Sequence, residues 1–449
     1  MPDHREKSRK VVSRFRSAVL SLAILIPLGS VSAADVDLNL TVMGQGYQTR
    51  TAAGELLDRR RVTQWVDLRA ARLLEVDDLS LQVSFRFDAE LGLGDVFDDS
   101  SNRADLMLAS MRWRRVARPI DLVLGRQLVI DELDFLFFDG LTAEIHMPAH
   151  LTLRLMGGFA VRDKSFLGGA ELELDGVEGG SVPAPLVGAG LRFAYREVWA
   201  GVDYRRVVLW ADGWPADDER LGVSASLRLL EKALGLDAGA AFNLLLDQWQ
   251  RLRGDLFYRL PGPLQQFRLE AGYLHSRPLF CMDSIFNFFS PAPFDEFHGG
   301  VHWAPSRAFS LRLAYTHRRY QGGADWDVDG VDLDSRLYIS RGRWVLLTAG
   351  FEDGAVGRRW IAAPRVVWEF LGGTLLAEGR GVISSFEDPL QENQHALTLG
   401  VSGALTWRFS AEHALVIMAE LNGNRINPLQ FRLLGVLDLA FHFGSGGYR

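Results

Sequence analysis

Between positions 431 and 443 the chain alternates without a break. Phe431, Leu433, Gly435, Leu437, Leu439, Phe441 and Phe443 fall on one face. Arg432, Asp438 and His442 fall on the other, with Leu434, Val436 and Ala440. A period of two is the period of a strand. An unbroken apolar face meets something oily, while the face behind it meets water or polar groups. The same pattern recurs along nearly the whole chain, at 36–42, 79–91, 151–156, 187–193, 221–229, 267–273, 309–316 and 397–407. In the clearest case Leu79, Leu81, Val83, Phe85, Phe87, Ala89 and Leu91 oppose Ser80, Gln82, Ser84, Arg86, Asp88 and Glu90.

The connections alternate as well. Tight ones fall at 147–150, 195–197, 261–263, 340–343 and 371–373. Longer polar ones fall between them, at 92–104, 162–186, 210–220, 277–293, 320–331 and 385–394. Short turns on one rim and long loops on the other mark an antiparallel transmembrane β-barrel, with the short turns periplasmic. Twenty-two strands are expected, with eighteen or twenty if a hairpin is lost within 104–114, 245–252 or 331–371. The strand at 431–443 would close the ring against 36–47 and leave no edge. Trp65, Trp113, Trp199, Trp210, Trp303, Trp344, Trp360, Trp368 and Trp407 lie near strand ends, as interfacial girdles require.

Residues 1–33 read as a cleaved signal peptide. Arg5, Lys7, Arg9, Lys10, Arg14 and Arg16 form a basic start, an apolar run covers 18–28, and Val31-Ser32-Ala33 offers small residues for cleavage. Export through such a leader, followed by a barrel, points to the outer membrane of a Gram-negative bacterium. Residues 34–449 then form one barrel domain, with strands starting too early to leave room for a plug domain. Without the six basic and two acidic residues of the leader, 49 cations and 56 anions become 43 and 54, a net of −11. That balance disfavours nucleic acid as a partner. Lysine occurs only at positions 7, 10, 164 and 232, so almost every cation is an arginine able to fork onto a carboxylate. Cys281 is alone, so no intrachain disulfide forms. The expected partners are outer-membrane lipid, the barrel-assembly machinery and a small-molecule or saccharide solute. No cofactor is called for.

In an unplugged barrel of this width the lumen holds water. The residues expected to line it or form its constriction are Arg86, Asp88, Glu90, Arg126, Arg154, Arg192, Arg228, Arg251, Arg253, Asp255, Arg268, Glu270, Arg312 and Arg380. In one reading, rungs of arginine conduct small or oligomeric anionic solutes. In another, arginine and carboxylate brace the wall, as the spacing of Arg86 with Asp88, Arg268 with Glu270 and Glu378 with Arg380 permits. The leading function is therefore a porin-like channel and not an enzyme. The alternatives are a barrel-borne lipid hydrolase or protease, and an adhesin or assembly scaffold acting through its long loops.

Leu124-Gly125-Arg126-Gln127 followed by Phe138-Asp139-Gly140-Leu141 resembles the alginate-export-like outer-membrane porin family, in which a strand ending Gly-Arg-Gln leads through a loop to Phe-Asp-Gly. The resemblance covers residues 124–141 in detail. It implies a monomeric barrel with a basic constriction that conducts an anionic polysaccharide, and it makes Arg126 a constriction residue. Simple alternation puts Arg126 on the face of Leu122 and Leu124, so a bulge at Gly125 is needed to turn it inward. The intervening stretch, Asp131-Glu132-Leu133-Asp134-Phe135, is acidic and apolar, and alginate is not carried over as substrate.

Three loop features complete the reading. Phe280, Met282, Ile285, Phe286, Phe288 and Phe289 make 277–293 apolar enough either to fold into the barrel or to pack on itself above the rim. Asp325, Asp327 and Asp329 have the spacing of the start of a calcium loop, but Arg336 stands where its closing Glu belongs, which leaves only a weak external site. Glu296, His298 and His302 share a face, yet positions four apart on a strand are ~13 Å from each other, too far for one ion.

Overall fold

The computed structural model describes residues 35–50, 56–91, 102–117, 119–161, 184–208, 216–277, 293–321, 327–354, 357–387, 395–423 and 429–443. The expected leader lies outside the described residues, as do Asp325, Trp210 and the apolar stretch of 277–293 beyond Arg277 as far as 292.

Twenty-two strands form one sheet. They are β1 (Asp35–Arg50), β2 (Leu56–Ala71), β3 (Leu79–Glu90), β4 (Asn102–Ala117), β5 (Ile120–Ile130), β6 (Phe135–Met147), β7 (Leu151–Ala160) and β8 (Pro185–Tyr195). Next come β9 (Val198–Val208), β10 (Ala216–Leu229), β11 (Leu234–Asn243), β12 (Gln248–Arg259), β13 (Phe267–Ser276), β14 (Phe294–Trp303) and β15 (Phe309–Tyr320). The ring is completed by β16 (Asp327–Ser340), β17 (Arg343–Gly354), β18 (Arg358–Phe370), β19 (Leu375–Glu387), β20 (His395–Arg408), β21 (His413–Gly423) and β22 (Gln430–Phe443). Each pairs antiparallel with its sequence neighbours, and β22 pairs with β1 from Val36 opposite Phe443 to Tyr47 opposite Arg432. Closure satisfies every strand on both sides, which a sheet in hydrocarbon needs because no water is there to take an unpaired edge.

The count of 22 is the one the alternation predicts. Residues 104–114 lie inside a single strand, β4, and 331–371 carry the rest of β16 with β17 and β18. The turn at 244–247 separates β11 from β12. On the face away from the polar side chains, Leu399, Val401, Ile417 and Leu433 are exposed on adjoining strands, Val401 to 61%. A continuous apolar surface of this kind does not persist in water.

Two tryptophans depart from the girdle pattern. Trp65 stands directly opposite Thr41 and Arg86, on the polar face. Trp344 lies under the guanidiniums of Arg365 and Arg336, at 4.9 and 5.8 Å, a cation–π arrangement. Trp303 and Trp407 sit at the rim of the short turns, with ring centroids 6.3 Å from Phe267 and 5.5 Å from Phe409. The expected length difference between rims also has exceptions: on the rim of the long loops, 131–134 and 244–247 are as short as the turns opposite.

Candidate functional site

The hairpin made by β5 and β6 starts in the wall and leaves it. Pairing of β5 with β4 ends at Arg126, opposite Ala109. Pairing of β6 with β7 extends only as far as Phe138, opposite Ala160. Beyond these points, apart from the Val161 N–H on the Phe137 carbonyl at 2.8 Å, the described residues of β5 and β6 pair only with each other, up to Ile130 opposite Phe135. The expected loop from 128 to 137 is thus mostly strand, and only 131–134 turn. Departure occurs at Gly125, whose φ of +113° suits glycine and whose Cβ, if present, would lie 2.1 Å from the Ala109 carbonyl oxygen.

The base of the hairpin is pinned in three ways. Phe138 is fully buried among Val129, Met156, Ala184, Leu186 and Val207, a small apolar core on the inner face. Burying a side chain of this size stabilises by about 1.5–3 kcal/mol. Thr142 Oγ1 donates to Gln127 Oε1 at 2.8 Å, and Gln127 Nε2 donates to the Gly140 carbonyl at 3.1 Å. Arg126 forks onto Asp139, Nε and Nη2 each donating at 2.8 Å, and its Nη1 donates to the Leu106 carbonyl at 2.9 Å. The three residues of Gly-Arg-Gln therefore oppose the three of Phe-Asp-Gly in register. Arg126 keeps the alternation of Leu124 and Leu128 instead of being turned by a bulge in that pairing, and its guanidinium is engaged by Asp139.

The tip lands on an arginine-lined wall. Asp131 Oδ2 accepts from Arg154 Nη2 of β7 at 2.7 Å, and the same nitrogen reaches Asp203 Oδ1 of β9 at 2.7 Å. Glu132 takes Arg251 and Arg253 of β12, at 3.0 and 2.8 Å, and its carbonyl also accepts from Arg251 Nη2. Asp134 takes Arg205 of β9 and Arg220 of β10, both at 2.7 Å. Leu133 rests over Gly222 and Glu132 over Gly239. A Cβ on either glycine would come within 2.8 Å of Leu133 Cδ2 or 2.4 Å of Glu132 Oε1. The side chains of Asp131 and Arg154 are 1% and 6% exposed, so these charges are out of water. Removing one member of such a group leaves its partner buried and unpaired, at a cost of about 3–5 kcal/mol.

Elsewhere on the polar face the expected residues are also mostly paired. Arg86 is buried between Asp88 and Asp105, at 2.9 and 3.0 Å. Asp88 also accepts from Thr63 Oγ1 at 2.5 Å and lies 3.1 Å from Arg61. Glu90 accepts the Arg60 backbone N–H at 2.8 Å. Arg268 and Arg312 share Glu270, their Nε atoms donating at 3.1 and 2.9 Å. Glu378 holds Arg365 at 2.8 Å and also Arg380. Arg228 Nη2 donates to both carboxylate oxygens of Asp237, at 2.9 and 2.8 Å. Asp255 lies 3.3 Å from His298. Arg192 faces Thr152 and Gly201, and its buried Nε has no hydrogen-bond partner among the described residues. Asp329 accepts from Tyr315 and meets His317 at 2.9 Å, while Asp327 lies 3.9 Å from Arg319. The wall-bracing geometry thus occurs for most of these arginines, and the tip, Asp131 to Asp134, meets the wall through Arg154, Arg205, Arg220, Arg251 and Arg253.

No protein family matches the chain, and no curated protein matches it in sequence. Solved structures similar in fold include OpdK of Pseudomonas aeruginosa with vanillate, at 11% identity over 91% of this chain and 99% of that chain, TM-score 0.45. OccAB4 of Acinetobacter baumannii is 10% identical over 92% of this chain and 99% of that one, TM-score 0.46. The translocation pore of the P pilus usher PapC is 9% identical over 90% of this chain and 99% of that one, TM-score 0.47.

Proposed function

We propose that this chain is a passive channel of the Gram-negative outer membrane, carrying small or oligomeric anionic solutes and performing no chemistry on them. The observation that carries the reading is an edgeless 22-strand ring with its apolar face outward and, inside, a hairpin held against the wall by arginines. A closed sheet with this outer face belongs in hydrocarbon. Its inner face offers planar cations to carboxylates. Export through a cleaved leader and insertion by the barrel-assembly machinery complete the reading. The likeness to alginate-export-like porins remains carried by the Gly-Arg-Gln and Phe-Asp-Gly segments, which in this fold form the base of the hairpin.

The test is conductance of the folded, leader-free barrel in planar bilayers under a salt gradient. Discrete openings with a reversal potential favouring anions are expected. Folded protein that passes no current removes the channel, and a reversal potential favouring cations removes the anionic solute.

A further inference from the structure

Three carboxylates within four consecutive residues occupy five guanidiniums drawn from four strands, β7, β9, β10 and β12. The tip does not exhaust that wall. Among the described residues, Arg205 Nε and Nη1 are buried without hydrogen-bond partners, and so are the Nε atoms of Arg154 and Arg251. A buried donor with no acceptor is costly, and a free anion, whose oxygens are not held in the geometry of the tip, can turn one toward it. Nor is the tip tied in by backbone. Among the described residues its strands pair with no neighbour beyond Arg126 and Phe137, whose carbonyl accepts the Val161 N–H at 2.8 Å, so side chains hold the tip itself down.

We propose that the arginine wall is a binding site for compact polycarboxylates, solutes with two or three carboxylates on a small frame, and that the tip occupies this site as a tethered internal ligand which such a solute displaces. The purpose of the site rests on the channel reading. A tethered ligand competes at an effective concentration in the ~mM range, because linkage makes each contact intramolecular. A single carboxylate lacks that advantage and loses to the tip. Two or three carboxylates on one frame share it, and they also reach the spare donors. Release of the tip clears the lumen beside the wall, so the solute opens its own path.

The experiment reads tip position without reading current. Leu133 is 4% exposed. Leu133→Cys in a Cys281→Ser background gives one thiol under cover, titrated in micelles with a methanethiosulfonate reagent. Citrate is expected to speed labelling about tenfold, the response of a covered state shifted toward an open one. Acetate at equal ionic strength is expected to leave the rate unchanged. Adding Glu132→Gln and Asp134→Asn is expected to speed labelling with no solute present. Citrate that leaves the rate unchanged overturns the proposal, and so does a neutralised tip that stays covered. Calorimetric titration of the unsubstituted barrel with citrate decides the matter if the cysteine variant fails to fold: saturable binding supports the site and its absence overturns it. A barrel that exposes the thiol but passes no current loses the channel and keeps the site. One that conducts without exposing the thiol loses only the site.

Discussion

Halfway round the ring from β9 and β10 stand β20 and β21, followed by β22 and β1. Outward the two walls are alike: Val202, Leu221 and Val223 are exposed on one, Leu399, Val401 and Ile417 on the other. Inward they differ. The first carries Asp203, Arg205, Arg220 and the tip of the β5–β6 hairpin. The second carries Val416 opposite Val436 and Val436 opposite Met43, with Met418 opposite Leu434 beside them. Guanidiniums collect where a segment of the same chain lands, while this stretch of the far wall is apolar. The two inner walls therefore differ in chemistry, with carboxylate-laden arginines on one and oily side chains along part of the other. An outer face tells where a wall sits. What the wall does is written on the inner face, which owes nothing to the lipid.

The contrast is broken most severely by Arg154→Met, which strands Asp131 and Asp203 in a dry site. A loss of about 3–5 kcal/mol in urea unfolding is expected, with raised conductance as the hairpin loosens. Phe138→Ala removes the apolar pin at the base and is expected to cost about 3–5 kcal/mol, again with raised conductance. Next in size is a test of the two faces. Leu399→Arg on the outside is expected to destabilise by about 2–4 kcal/mol if it lies near the bilayer midplane, whereas Ser402→Arg on the inner face is expected to shift ion selectivity and leave unfolding nearly unchanged. Arg126→Lys keeps the charge and loses the fork onto Asp139. A loss of about 1.5 kcal/mol is expected. The smallest effect belongs to Met418→Ser on the oily wall, within about 0.5 kcal/mol in unfolding and without effect on the tip. If Met418→Ser changed conductance as much as Arg154→Met, the two walls would not differ in function.

The ring itself was legible because its signal is local. Alternation at 431–443 and 36–47 named the two strands that close the ring, which pair from Val36 opposite Phe443 to Tyr47 opposite Arg432, and the count of such runs led to 22 strands. The Gly125 departure was half legible: the glycine marked a change of direction, but pairing with Asp139, not an inward turn, decides what Arg126 does. The tip was not legible. Its acidic run was visible, yet Glu132 meets Arg251 and Arg253 across 119 and 121 residues of chain, and Asp134 meets Arg205 and Arg220 across 71 and 86. Period two is blind to such separations. It assigns each arginine a face, not a partner, and so cannot tell a rung of a solute path from a clamp. The spacing of Arg86 with Asp88 and of Arg268 with Glu270 gave the pairing away only where both partners share a strand.

A cylinder one strand thick has no core to resist squeezing. Under lateral load from its surroundings it ovalises like a thin-walled tube, and its cross-section changes before any strand separates. The β5–β6 hairpin ties its own staves to β7, β9, β10 and β12 through charged contacts. It acts as a strut along one chord. The barrel is thereby stiff on that side and compliant on the other, so deformation is taken up at β20 to β1 and the bore keeps its width beside the arginines.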